Sequence, residues 1–133
     1  MRTSIFLCLV AVVFCAVPSF AEESDLIGTW NGTTTEHTKS KGFITGLGNT
    51  QWIVTEVKDG AFTGKKVWKH HTSEQREEAF SGVISADGKK LYIAEHEDGV
   101  LIGDVMSPDR IMLYYMESGK KAKAMRIELT RQQ

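Results

Sequence analysis

From Leu26 onward, short runs of β-branched and aromatic residues recur between glycine-containing turns, and no stretch carries a 3.6-residue apolar stripe. The pattern predicts an all-β domain with strands at 27–36, 49–57, 61–71, 78–85, 89–95, 99–106, 110–117 and 122–130. Asp59-Gly60, Asp87-Gly88 and Asp98-Gly99 are hairpin dipeptides able to supply positive φ angles, and Pro108-Asp109 and Ser118-Gly119 continue the series. From Asp87-Gly88 onward, successive turns fall 10 to 11 residues apart. Parallel strands need crossovers of about a dozen residues, so this spacing implies antiparallel neighbours in an up-and-down meander. Eight strands joined in this way reach their lowest edge exposure by closing into a barrel, whose interior is either filled by side chains or holds one small ligand. Two longer linkers interrupt the meander: Lys39 to Gly48, with three glycines, and the polar segment from His70 to Glu78.

The first 21 residues have a different pattern. Arg2 is followed by an unbroken apolar or Cys run from Ile5 to Val17, then Pro18 and the small residues of Ser19-Phe20-Ala21. The run is shorter than the ~20 apolar residues a membrane span requires and is predicted to be a secretory signal peptide cut after Ala21. The product would be secreted or periplasmic, a single barrel domain over 22–133. Both cysteines, Cys8 and Cys15, lie in the leader, so the cleaved protein would contain neither a disulfide nor a thiolate. Phe14 stands where a lipoprotein signal needs a small residue, which argues against a lipid anchor.

Charge narrows the partners. The chain carries 16 Lys and Arg against 17 Asp and Glu, a net charge of -1, which gives no electrostatic reason to expect nucleic acid or, after cleavage of the leader, a membrane surface. At 41% hydrophobic and 25% charged residues the composition is that of a folded domain rather than a disordered chain.

Gly28-Thr29-Trp30, at the start of an eight-stranded meander, resembles the opening of the calycins, the superfamily that joins lipocalins and avidins. The layout is closest to the avidin and streptavidin family. Lys58-Asp59-Gly60-Ala61-Phe62-Thr63-Gly64 is similar to that family's second hairpin and third strand, and Phe80-Ser81-Gly82 and Ile127-Glu128-Leu129-Thr130-Arg131 are similar too. The resemblance implies a barrel whose first-strand Trp plugs one end. It also implies that biotin is not the ligand. Gly32 and Glu36 stand where the family places polar side chains against the ureido group, Lys66 replaces a third-strand Tyr, and no Trp follows Trp68.

Strand alternation assigns faces. Met125, Ile127 and Leu129 face the interior, and Trp30 takes Gly28, Gly32, Thr34 and Glu36 inward with it. The hairpin resemblance puts Phe62, Gly64, Lys66, Trp68 and His70 inward, with Phe80, Gly82 and Ile84 from the next strand. The seventh strand is ambiguous: Ile111, Leu113 and Tyr115 lie on one side, Met112, Tyr114 and Met116 on the other. An outer stripe of Met or Tyr would suit burial against another copy or a partner, although scattered exposed apolar residues are also ordinary.

Candidate chemistry is sparse. Glu36 and Lys66 would either pair inside the barrel, hold a polar ligand group, or sit solvated at the rim. His70 and His71 are adjacent and face opposite sides, so regular β geometry cannot bring both to one metal, and Glu95-His96-Glu97-Asp98 runs into a turn where charges are expected. No metal-ligand spacing, nucleophile elbow, phosphate loop or dinucleotide fingerprint is present, and no cofactor is implied.

The sequence is therefore read as a non-enzymatic binding protein holding a small, partly apolar ligand over Trp30, Phe62, Trp68 and Phe80, with Thr34, Glu36 and Lys66 nearby. Two alternatives stand beside it. One is a filled scaffold acting through its loops or outer face as an interaction or inhibitor module; the other is an isomerase or cyclase using the interior.

Overall fold

The computed structural model describes residues 23–69, 74–97 and 99–133; the leader, His70, His71 and Asp98 lie outside the described residues. A 3-10 turn, Glu23–Leu26, precedes eight strands: β1 (Gly28–Thr38), β2 (Gly42–Lys58), β3 (Ala61–Lys69), β4 (Gln75–Ile84), β5 (Lys90–Glu95), β6 (Val100–Ser107), β7 (Arg110–Glu117) and β8 (Lys123–Arg131). Every strand pairs antiparallel with its sequence neighbour, and β8 pairs with β1, so the sheet closes into an up-and-down barrel with no free edge.

The turns use the residues expected of them. Asp59 and Gly60 both take positive φ, 51° and 76°, the signature of a two-residue hairpin whose twist matches its strands. At the β4–β5 hairpin the Gly88 N–H donates to the Ser85 carbonyl at 2.8 Å.

The segment expected to be a glycine-rich linker, Lys39 to Gly48, is instead mostly strand: β2 begins at Gly42 rather than at residue 49. One of its glycines serves a bulge. Thr34 pairs with Leu47 and Thr35 with Thr45, leaving Gly46, at φ 72°, unpaired between them. Such a residue bends the strand and raises its twist, which a 17-residue strand wrapped around a narrow barrel requires. Likewise β4 starts at Gln75, so part of the polar segment before Glu78 pairs with β3.

The plugged end of the barrel is tightly packed. Trp30 is 1% exposed, its indole N–H donates to the Leu26 carbonyl at 3.1 Å, and the Arg131 guanidinium lies over its ring. Phe62 pairs across strands with Gly82 and Phe80 with Gly64. Each ring occupies the space that a side chain would need: a Cβ at Gly82 would run into the Phe62 ring, and one at Gly64 would strike the Ile53 carbonyl and come within 2.7 Å of Phe80. On β7 the two-sided pattern resolves: Ile111, Leu113 and Tyr115 enter the core, while Tyr114 and Met116 face out. Met112 also faces outward but is buried, with the Arg126 Nε donating to its sulfur at 3.3 Å.

Candidate functional site

The interior divides into two halves. Around Trp30, Trp52, Phe62, Phe80, Leu91 and Leu113 the packing leaves a cavity of about 20 Å³, lined wholly by apolar side chains. That volume admits a water molecule or so and no organic ligand. Trp30, Phe62 and Phe80, expected to lie beneath a ligand, are thus packed against their neighbours, with Phe80 between Trp52 (ring centroids 5.0 Å apart) and Phe62 (6.3 Å).

The other half is polar, and its centre is Lys66. Alternation along β3 turns Lys66 inward between Gly64 and Trp68, directly opposite Glu78 of β4. Its ammonium pairs with Glu78 at 3.4 Å and more closely with Glu95 of β5, one strand farther round the barrel. The side chains of Glu78 and Glu95 are only 7% and 3% exposed, and that of Lys66 14%. The ammonium also faces two indoles, 4.7 Å from the Trp68 ring and 5.6 Å from that of Trp52, where the ring quadrupole favours a cation. Glu78 accepts a further hydrogen bond from the Glu97 N–H at 2.9 Å, which ties the cluster to the loop after β5.

Electrostatically the cluster sets two carboxylates against one cation. Burial raises the pKa of Glu95 above the ordinary carboxylate range, with the Lys66 charge and hydrogen bond pulling the other way. Beside the cluster, Trp52 is a buried indole N–H donor with no hydrogen-bond partner. A second polar group lies farther toward the end opposite Trp30. Tyr115 donates to Glu117 at 3.1 Å, Lys123 pairs with the same carboxylate at 3.3 Å, and the Lys123 ammonium stands 5.0 Å from the Tyr115 ring centroid. Burial pushes the Glu117 carboxyl up, but the hydrogen bonds from Lys123 and Tyr115 prevail and leave its pKa lowered.

Of the arrangements open to Glu36 and Lys66, a direct pair does not form: Glu78 and Glu95 take the ammonium. Glu36 is half-buried on β1 between Ile44 of β2 and Met125 of β8, and Thr34, two residues deeper, is buried. Trp68 is half-buried above the cluster. Glu78, Glu95 and Trp52 were not among the expected site residues. Alternation carried the signal for the first two: Glu78 shares the parity of Phe80 and Gly82, and Glu95 that of Leu91 and Ile93. Among the described residues no group of His, Cys, Asp and Glu is arranged to hold a metal. His37 packs edge-on against Phe43 at 4.6 Å, and His96 shares a 3.0 Å hydrogen bond with Ser81 on the surface.

No family model matches the chain. No curated protein matches it either. Several solved structures share its fold at low sequence identity. A redesigned β barrel aligns with TM-score 0.61 at 14% identity, over 84% of this chain and 95% of the other. Lobster apocrustacyanin A1 aligns with TM-score 0.55 at 9% identity over 82% of this chain, which spans 62% of that protein. The S-type phycobiliprotein lyase CPES of Guillardia theta aligns with TM-score 0.53 at 9% identity, over 83% of this chain and 90% of the other. A de novo fluorescence-activating β barrel aligns with TM-score 0.54 at 13% identity, over 83% and 96%. At these identities the likeness is one of fold: the protein is a closed, eight-stranded, up-and-down antiparallel β-barrel.

Proposed function

We propose that the protein is an exported, non-enzymatic binding protein of avidin-like layout that receives a small, partly apolar ligand at the Lys66 end of its barrel. The observation that carries this reading is the buried Lys66–Glu78–Glu95 cluster beneath Trp68. Desolvating three charges inside a domain costs several kcal/mol per ion before their mutual attraction is counted, and apolar residues would fill the same space at least as stably. Such a cluster suits recognition of a polar group, with acceptors on the two carboxylates and a donor on the ammonium. The ligand's apolar body would lie on Trp68 toward Thr34 and Glu36, while Trp30, Phe62 and Phe80 form the rigid floor.

The test is native mass spectrometry of the protein purified from its own source, followed by denaturation to release anything bound. The expected result is one small molecule per barrel, lost in Lys66→Met and Trp68→Ala variants that still fold. An empty barrel from the native source sinks the proposal and leaves a filled scaffold.

A further inference from the structure

The outside of the barrel is as unevenly divided as the inside. Around β1 the outward positions are Thr29, Asn31, Thr33 and Thr35, and the outward face of β3 carries Lys65 and Lys69. From β4 to β7 eight uncharged outward positions, six of them large and apolar, fall into two straight rows across the sheet. Val83 pairs with Tyr92, Tyr92 with Ile102 and Ile102 with Tyr114, so these four stand side by side on adjacent strands. One step along the strands, Ser81, Ala94, Val100 and Met116 form a second row by the same pairings, continued by Ala124 on β8.

The six large side chains of these rows are each between 39% and 54% exposed. Chance exposure scatters such residues singly; eight uncharged positions in a block two deep and four strands wide do not arise that way. The next outward row toward the plugged end runs Lys90, Asp104, the buried Met112 and Glu128; Lys90 bonds to Asp104, and Glu128 pairs with Arg110 at 2.8 Å. The block is therefore an apolar centre with a polar rim on that side, the anatomy of an interface.

We propose that this face packs against the same face of a second copy of the chain, giving a two-fold symmetric dimer. Three features favour a copy over a different protein. The block carries no carboxylate or lysine; Arg126 stands at its β8 edge and His96, hydrogen-bonded to Ser81 at 3.0 Å, at its β4 edge, so the centre of the block meets its like without charge repulsion. One row is bulky, with Val83, Tyr92, Ile102 and Tyr114, and the other is smaller on three of its four strands, with Ser81, Ala94 and Val100 ahead of Met116. A two-fold axis running between the rows and parallel to them lays the bulky row of each copy on the small row of the other, which makes the surface complementary to itself. Finally, the fractional exposures and sizes of these side chains leave on the order of 600 Å² per copy open to cover, so a pair buries roughly 1,200 Å², the lower bound for a stable specific interface.

The dimer leaves the Lys66 end free, so it neither requires nor excludes a ligand there. The chain is expressed in full in a secreting host, and the accumulated product is examined by sedimentation between about 1 and 100 µM, the range in which an interface of this size assembles. The wild type should sediment as a dimer. Ile102→Lys, at an outward position whose change spares the core, should give a monomer with unchanged circular dichroism and melting behaviour, and Thr33→Lys on the opposite face should leave the dimer intact. A monomeric wild type at the highest concentration overturns the proposal and assigns the face to a different partner; an Ile102→Lys dimer overturns it as well.

Discussion

The guanidinium carbon of Arg131 stands 4.3 Å from the centroid of the Trp30 ring. Strand β8 thereby clamps the residue that opens β1, and the same guanidinium donates to the carbonyls of Pro108 at 3.2 Å, Ile27 at 3.1 Å and Asp25. Each of these carbonyls lies in a segment outside the strands, so one planar fork fastens the 3-10 turn and the β6–β7 turn to the barrel floor.

Replacing Arg131 by Lys keeps the charge but loses the fork and the flat stacking surface. The expected cost is about 1–2 kcal/mol, from weakened charge-assisted hydrogen bonds and stacking. Denaturant unfolding measures the loss, and faster proteolysis within residues 23–27 would show that the plug, rather than the barrel wall, is loosened.

Gly82→Ala drives a methyl group into the Phe62 ring and should cost about 1–3 kcal/mol by overpacking. In Gly82→Ala combined with Phe62→Leu the two changes should compensate in part, a positive coupling in a double-mutant cycle. Gly64→Ala has no such rescue, because its obstacle is the Ile53 backbone carbonyl rather than a side chain that can be shortened.

Lys66→Met leaves Glu78 and Glu95 buried without the cation they share, and should destabilise the barrel by about 3–5 kcal/mol at neutral pH. The triple change Lys66→Met, Glu78→Gln, Glu95→Gln removes every charge of the cluster and should recover most of that loss. If the single and triple variants unfold at the same denaturant concentration, the cluster is not the electrostatic unit described above.

Two carboxylates give stability opposite dependences on pH. Burial raises the Glu95 pKa in the folded state, so its contribution is fully present below the ordinary carboxylate range and is lost as pH rises through the raised value. Asp87 is the reverse: the Ser85 hydroxyl and the Lys89 N–H lower its pKa, and its contribution is present above the ordinary range and lost as pH falls through the lowered value. Melting temperatures followed from acid to neutral pH should therefore show Glu95→Gln gaining on the wild type as pH rises, and Asp87→Asn falling behind it. A Glu95→Gln difference that is flat across this range would contradict the burial argument.

Much of the barrel could be read from the chain because its determinants are local. Turn dipeptides such as Asp59-Gly60 impose the backbone that joins neighbouring strands, and the strict alternation of Met125, Ile127 and Leu129 with Arg126 and Glu128 fixes a face. Two features are hidden for one physical reason, that composition does not reveal position. The glycines of 42–48 suggest a loop, yet in a long bent strand a glycine such as Gly46 is the residue that makes a bulge. Glu95 sits among charges next to a turn, yet parity with Ile93 turns it inward, and its distance in sequence from Lys66 hides a pairing that the successive β3–β4 and β4–β5 registers create.

The floor of the barrel is also where the chain is stitched together: the Gln132 N–H donates to the Thr29 carbonyl at 2.9 Å, so β1 starts and β8 finishes at the same rim. Lys66, Trp68 and Glu36 belong to the opposite rim. A linker attached after residue 133 therefore leaves from the underside, so the barrel can be immobilised by its C-terminus on a sensor chip or bead with the Lys66 end turned away from the surface.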